Sequence, residues 1–250
     1  MRALLAFFTV LPVATPRSSL EDAARRAYLL PLVGLLAGVP GASLLLLAFL
    51  APPGVAATLA LAATLLVTGL HHTDGVIDVG DALMVRGNPA RRREILKDTR
   101  TGAGAVGALF VVYGPLLAAL MAFAANSPLR AAVALLAGEA AARSAMLLLL
   151  VFGTPATDNS SSAYFVQDLR EGRRRVAALI LAPTLPSLVV LALGPAALFI
   201  TLVVLIATVL FALALARRVF GGISGDVSGA TGELTRAVLL VVLSMVAVTY

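Results

Sequence analysis

The chain has 250 residues, of which 60% are hydrophobic and 13% charged, with a formal net charge of +6. Ordinary soluble domains carry about 25% charged residues, so this composition excludes one. With no cysteine, disulfides, zinc–thiolate sites and thiol nucleophiles are excluded as well, and arginines confined to loops between apolar runs speak for membrane orientation before nucleic acid.

Residues 3–13 (ALLAFFTVLPV) are apolar but too short to span a bilayer, and Pro12 and Pro16 end the run. An interfacial or half-inserted segment is expected there, not a cleaved signal peptide. Residues 17–28 predict a short amphipathic helix with Ser18 or Ser19 as its cap. Seven spanning segments follow, at 29–50, 55–73, 103–125, 131–152, 176–193, 195–216 and 236–250. Pro183 and Pro186 predict a kink in the fifth, and the last is short. Nothing marks a linker or repeat, so the expectation is one all-α, polytopic membrane bundle over residues 1–250.

The charges sort by connection. Those at 1–28, 74–102, 153–175 and 217–235, with Arg236 at the last edge, hold every charged residue except Arg130, Glu139 and Arg143. Lys and Arg concentrate on the cytoplasmic side of membrane proteins. The N-terminus and all four charged connections should therefore face the cytoplasm, with the C-terminus outside.

Residues 68–81 read TGLHHTDGVIDVGD. At about 100° per residue, the offsets i, i+4 and i+7 put Asp74, Asp78 and Asp81 on one helical face. Clustered carboxylates need a cation, and a hard divalent ion such as Mg²⁺ with phosphate co-ligands is one answer. A solvated acidic turn, or pairing with the following arginines, is the other. In the stretch 84–107, Arg91, Arg92, Arg93, Lys97 and Arg100 supply positive charge, and Glu94 and Asp98 are placed i, i+4 on a helical face. Gly102, Gly104 and Gly107 open the third span, either as a phosphate seat or as packing glycines. Glu139 and Arg143, i and i+4 at membrane depth, form a pair that is structural or functional. The loop 153–175 carries Asp158, Asp168, Arg170, Glu171 and arginines at 173–175 without a motif, and its serines at 160–162 are expected to be flexible. At 220–233, Asp226 falls in a glycine-rich turn with Glu233 seven residues on. No Walker A motif is present, so a P-loop ATPase is not expected.

Three blocks, TGLHHTDGVIDVGDAL, EILKDTRTGAGAVGAL and GGISGDVSGATGEL, closely resemble the signature blocks of the cobalamin 5′-phosphate synthase family, in order and spacing. The resemblance implies a Mg²⁺-dependent inner-membrane enzyme that joins adenosylcobinamide-GDP to α-ribazole or its 5′-phosphate and releases GMP. It places His72, Asp74, Gly75, Asp78 and Asp81 on the first block. Glu94, Lys97, Asp98, Arg100 and Gly102 fall on the second, and Gly222, Gly225, Asp226 and Gly229 on the third. Arg143 is also familiar from the family. The implied roles are Mg²⁺ on Asp74, Asp78 and Asp81, catalysis by these with His72 and Asp98, and phosphate clamping by Lys97 and Arg100. His72 is either the general base or a hydrogen-bond partner of a metal-bound aspartate. Glu94, Gly102, Arg143, Gly222, Gly225 and Asp226 complete the implied substrate contacts. The chain departs from the family at Val10, at His71 and in the loop 157–163 (TDNSSSA).

Two rival classes are a CDP-alcohol phosphotransferase, whose Ala-Arg after DGxx is here Asp78 and Val79, and an ion-coupled transporter. The expected partners are the two substrates, the lipid bilayer and either further copies of the chain or other cobalamin-pathway enzymes, with no nucleic acid.

Overall fold

The computed structural model describes residues 1–13, 19–170 and 172–247, and among these the regular elements are helices. Two short helices, α1 (Arg2–Phe8) and α2 (Ser19–Ala24), precede α3 (Leu30–Leu45). Then come α4 (Pro53–Val67), α5 (His71–Met84) and α6 (Pro89–Ile95). Two long helices, α7 (Ala103–Asn126) and α8 (Pro128–Phe152), lead to the short α9 (Ser161–Asp168). The chain closes with α10 (Gly172–Val190), α11 (Pro195–Leu215) and α12 (Gly225–Ala247). Among the described residues six of these helices, with the turns that extend them, are long and apolar enough to cross a membrane, and α4 with α5, bent by 92° at their junction, is a broken span or a re-entrant loop. The all-α, multi-span architecture is thus the one expected. Ser18 and Glu171, and residues 248–250 of the expected last span, lie outside the described residues.

Two boundaries differ from expectation, each for a physical reason. The second span stops at Val67 because Gly69 and Leu70 take left-handed φ values of 62° and 61° and turn the chain into α5. With 15 residues, α4 reaches only about 22 Å, short of a hydrocarbon core of about 30 Å. The last span begins at Gly225, so residues 225–235 are helix and not turn. Their glycines, serine and threonines have poor helix propensity, but α12 is buried along this stretch against α5 and α8, and packing overrides propensity. Pro183 and Pro186 lie inside α10.

The bundle is built around α8. In its spanning window 83% of residues are buried, against at most 61% in any other span. Its alanines at 131–145 leave room for neighbours on every side, and α3 comes closest. A Cβ on Gly34 would overlap the carbonyl oxygen of Glu139, so only glycine allows this approach. The charged connections gather at one end of the bundle. There Ala156 N–H donates to Ile223 O at 2.9 Å, Ile223 N–H donates to Thr154 O at 2.8 Å, and Arg93 Nη1 donates to Phe220 O at 2.7 Å. The acidic helix α5 starts at this end.

Candidate active site

Helix α5 is held between α12 and α7 by its own glycines. A Cβ on Gly75 would stand 2.6 Å from Asp226 O, and one on Gly80 2.7 Å from Gly104 O. Each glycine marks a place where another backbone passes too closely for any side chain. The corner before the helix puts Leu70, a residue with a Cβ, in the left-handed region, which costs about 1–2 kcal/mol. Val10 N–H, donating to Val67 O at 2.9 Å, ties the α1 segment to this corner. Strain of this kind gathers where a site must be aimed.

The three aspartates of α5 do different things. Asp81 is already engaged, since one oxygen accepts from Gly102 N–H at 2.7 Å and the other from Ala105 N–H at 2.8 Å. It caps α7 from across the seam, because Gly102 at the cap position has no side chain to do so. The start of α7, read from the sequence either as a phosphate seat or as packing glycines, thus holds a carboxylate of the chain itself, drawn by the positive helix end. Among the described residues, Asp74 and Asp78 make no such bonds. Asp74, Asp226 and Asp81 all lie near enough to repel the Asp78 carboxylate, and Lys97 is the cation that bears on Asp226. Among the described residues, Asp74, Asp78 and Asp226 form no ion pair.

Asp226 sits in the first turn of α12. Ser224 Oγ donates to its carboxylate at 3.3 Å and accepts from Val227 N–H at 3.2 Å. Facing acids from two helices, with oxygen donors only and no compensating salt bridge, suit a hard divalent cation. They do not converge as a ready-made cage among the described residues, so an ion would have to draw the side chains together.

His72 lies beside them, buried, its ring stacked on Phe8 at 6.0 Å and an interplanar angle of 12°. Its Nδ1 has no hydrogen-bond partner. His71, His72, Asp74 and Asp226 line a cavity of about 470 Å³ together with Phe7, Phe8 and Phe165. Ser161, Ser162, Ser228 and Gly225 also line it. The serines at 160–162, expected to be flexible, instead begin α9. Ser162 is buried and donates to Ile223 O at 3.3 Å.

A second cavity of about 830 Å³ opens on the other side of α5, between α7 and the loop after α6. Gly80, Asp81, Gly102 and Gly104 form its floor, and Asp98 and Arg100 lie on it. Arg100 donates from Nε and Nη2 to Asp98, the shortest bond being 2.8 Å. Arg100 holds the Asp98 carboxyl down at about 2.

Other expected site residues stand elsewhere. Because α6 ends at Ile95, Glu94 and Asp98 do not share a helical face, and Glu94 instead pairs with Arg91 at 2.7 Å on the surface. Gly222, at φ 154°, packs its Cα on the Ala156 backbone and joins two loops. Gly229 makes room for the His72 backbone, where a Cβ would stand 3.2 Å from its Cα. Arg143 lines neither cavity. It is fully buried and 3.7 Å from Glu139, which also binds Arg236, itself bonded to Glu233. Tyr113 OH donates to Glu233 at 3.0 Å and shares a hydrogen bond of 2.9 Å with Thr73 on α5. The i, i+4 spacing of Glu139 and Arg143 signalled one half of this network, and the i, i+3 spacing of Glu233 and Arg236 could have signalled the other. Nothing in the sequence showed that α12 starts early enough to bury Glu233 and Arg236.

The family model described as cobalamin-5-phosphate synthase matches residues 1–244. Among curated proteins, the chain is 35% identical over 248 residues to the adenosylcobinamide-GDP ribazoletransferase of Azorhizobium caulinodans, covering 95% of this chain and 92% of that one. It is 34% identical to the protein of the same name from Bradyrhizobium diazoefficiens, over 97% of this chain and 92% of the other. The same identity holds for that of Methanocella arvoryzae, over 98% and 95%. No solved structure matches the chain.

Proposed function

The chain belongs to the cobalamin-5-phosphate synthase family, and from that premise we propose that it joins adenosylcobinamide-GDP to α-ribazole or its 5′-phosphate, releasing GMP. The observation that carries this reading is Asp74 and Asp226, from two helices, lining one aromatic-walled cavity with buried His72, while Asp78 lies near enough to both acids to feel their charge. Such an arrangement suits displacement at a diphosphate, where negative charge must be gathered and then released.

Asp74, Asp78 and Asp226 would hold Mg²⁺, with the remaining lone pairs of Asp81 near by. When bound, the ion supplies Lewis-acid polarisation and offsets the charge of the leaving GMP. His72 Nδ1, free of any protein partner, takes the proton of the attacking ribose hydroxyl. As that oxygen bonds to the cobinamide-side phosphorus, the bond to GMP breaks. Phe7, Phe8 and Phe165 give the acceptor's planar base a stacking wall, while the serines offer hydrogen bonds to its ribose. The larger cavity, mostly apolar and edged by Arg100, suits the bulky amphiphilic corrinoid arm. Arg100 keeps Nη1 available for phosphate while Asp98 holds its other two nitrogens. The proposal sets this multi-pass chain in the cytoplasmic membrane with its charged end toward the cytoplasm, the side on which Lys and Arg concentrate.

The test is mass spectrometry of the product formed by purified protein from adenosylcobinamide-GDP and α-ribazole with Mg²⁺. The expected product is adenosylcobalamin, with one GMP per turnover. Absence of GMP from folded protein given both acceptors would refute the assignment.

A further inference from the structure

The charged end of the bundle holds a cavity of about 460 Å³ that shares no lining residue with the two beside α5. Arg25, Arg26, Arg173 and Arg174 converge on it, with Tyr28 and Asp22. Two of the four arginines are spoken for, since Arg174 pairs with Asp168 at 2.5 Å and Arg25 with Glu21 at 3.9 Å. Among the described residues, Arg26 and Arg173 make neither an ion pair nor a side-chain hydrogen bond. Two guanidinium groups thus line a concave space without an ion-pair partner among the described residues.

The place in the fold says what kind of anion fits. The spans Ala27–Phe49 and Gly172–Leu193 both begin here, so the first-turn N–H groups of two helices add positive potential at the same level. Directly beyond, on the bilayer side, Leu32 and Leu36 of α3 and Val176 and Ile180 of α10 are exposed. A positive seat at the membrane edge, opening onto an apolar lane, has the polarity of one molecule with a charged head and acyl chains. Topology alone asks for arginines on this side of the membrane. It does not ask that four converge on one cavity and that two stay unpaired.

We propose that this cavity binds the phosphodiester headgroup of an anionic phospholipid, with Arg26 and Arg173 as its ligands and the chains lying along α3 and α10. Guanidinium forks match phosphate oxygens in pairs. The site lies apart from the proposed chemistry and does not depend on it.

Native mass spectrometry of the full chain in detergent, titrated with phosphatidylglycerol or phosphatidylcholine, tests this. Phosphatidylglycerol should bind at least roughly tenfold more tightly, and the double variant Arg26→Gln/Arg173→Gln should lose that preference. Both side chains are exposed and unbonded, so the variant should keep its elution volume and unfolding temperature. Arg217→Gln/Arg218→Gln removes equal charge from the end of α11 and should keep the preference. Equal loss in both doubles would reduce the effect to general surface charge and overturn the proposal. Displacement of the lipid by inorganic phosphate or GMP at equal concentration would assign the cavity to a free phosphate and overturn it too.

Discussion

At the scale of single residues, the site separates acids that look alike in the sequence. Asp78 faces three other carboxylates and makes no salt bridge, so its charge is worth keeping only for a ligand. Asp78→Asn removes that charge, relieves repulsion and keeps the volume. The variant should fold as well as the parent in a thermal melt while GMP release falls roughly 10²-fold or more, with part of the loss regained at high Mg²⁺. Near-normal release at low Mg²⁺ would show that these acids hold no metal. Asp98 is the opposite case. With its carboxyl at about 2, below its ordinary value, the Arg100 pair is complete above about pH 4 and dissolves only as pH falls through 2. Asp98→Asn should therefore leave the shape of the pH–rate curve between 5 and 8 unchanged, and a moved limb would mean that Asp98 titrates in the reaction.

At the scale of elements, the Asp81 side chain of α5 caps the start of α7. Asp81→Ala uncaps α7 and should cost about 0.5–2 kcal/mol, seen as faster amide exchange at 102–106 with exchange on α8 unchanged. Uniform speeding across the molecule would show global loosening and no cap. The helix-bearing parts of this region were legible from spacing alone, because i, i+4 and i+7 acids after an apolar run mark one helical face. The cap was not, since Asp81 and Gly102 are 21 residues apart and only the fold brings them together. The start of α12 was hidden for a related reason. GGISGDVSGATGE has the composition of a turn, and it becomes helix only because its small residues let α5 and α8 approach. The long apolar runs of α7, α8 and α11 read correctly because they depend on solvent, not on a partner.

For the whole molecule, the charged connections close over one end of the bundle, and the proposed topology puts that end in the cytoplasm. Cysteines introduced singly at Arg91 and Arg218, both exposed, should react with an impermeant maleimide only in inverted vesicles. Labelling of either in intact cells would reverse the orientation. The polar network at the centre ties four helices together. Glu139 touches two guanidinium groups and Arg143 only one carboxylate, so Glu139→Ala should lower folded yield more than Arg143→Ala. Breaking a buried pair costs about 3–5 kcal/mol, and the double variant, which leaves Glu233 with Arg236, should recover part of the loss. Recovery absent from the double would mean that the two residues act independently.

That network also has a history along the chain. A membrane protein is delivered to the bilayer from its N-terminus, so α8 arrives with Glu139 and Arg143 long before α12 brings Arg236. During that interval the only partner for Glu139 on its own helix is Arg143, one turn on, at a separation that α8 alone can supply. The i, i+4 pair thus lets a charged segment enter lipid early, and Arg236 takes over the closer contact once synthesis is finished. The last helix is then the latch of assembly. A ribosome-bound chain that stops before residue 225 should hold α8 in the membrane yet leave it open to proteases that the finished bundle resists.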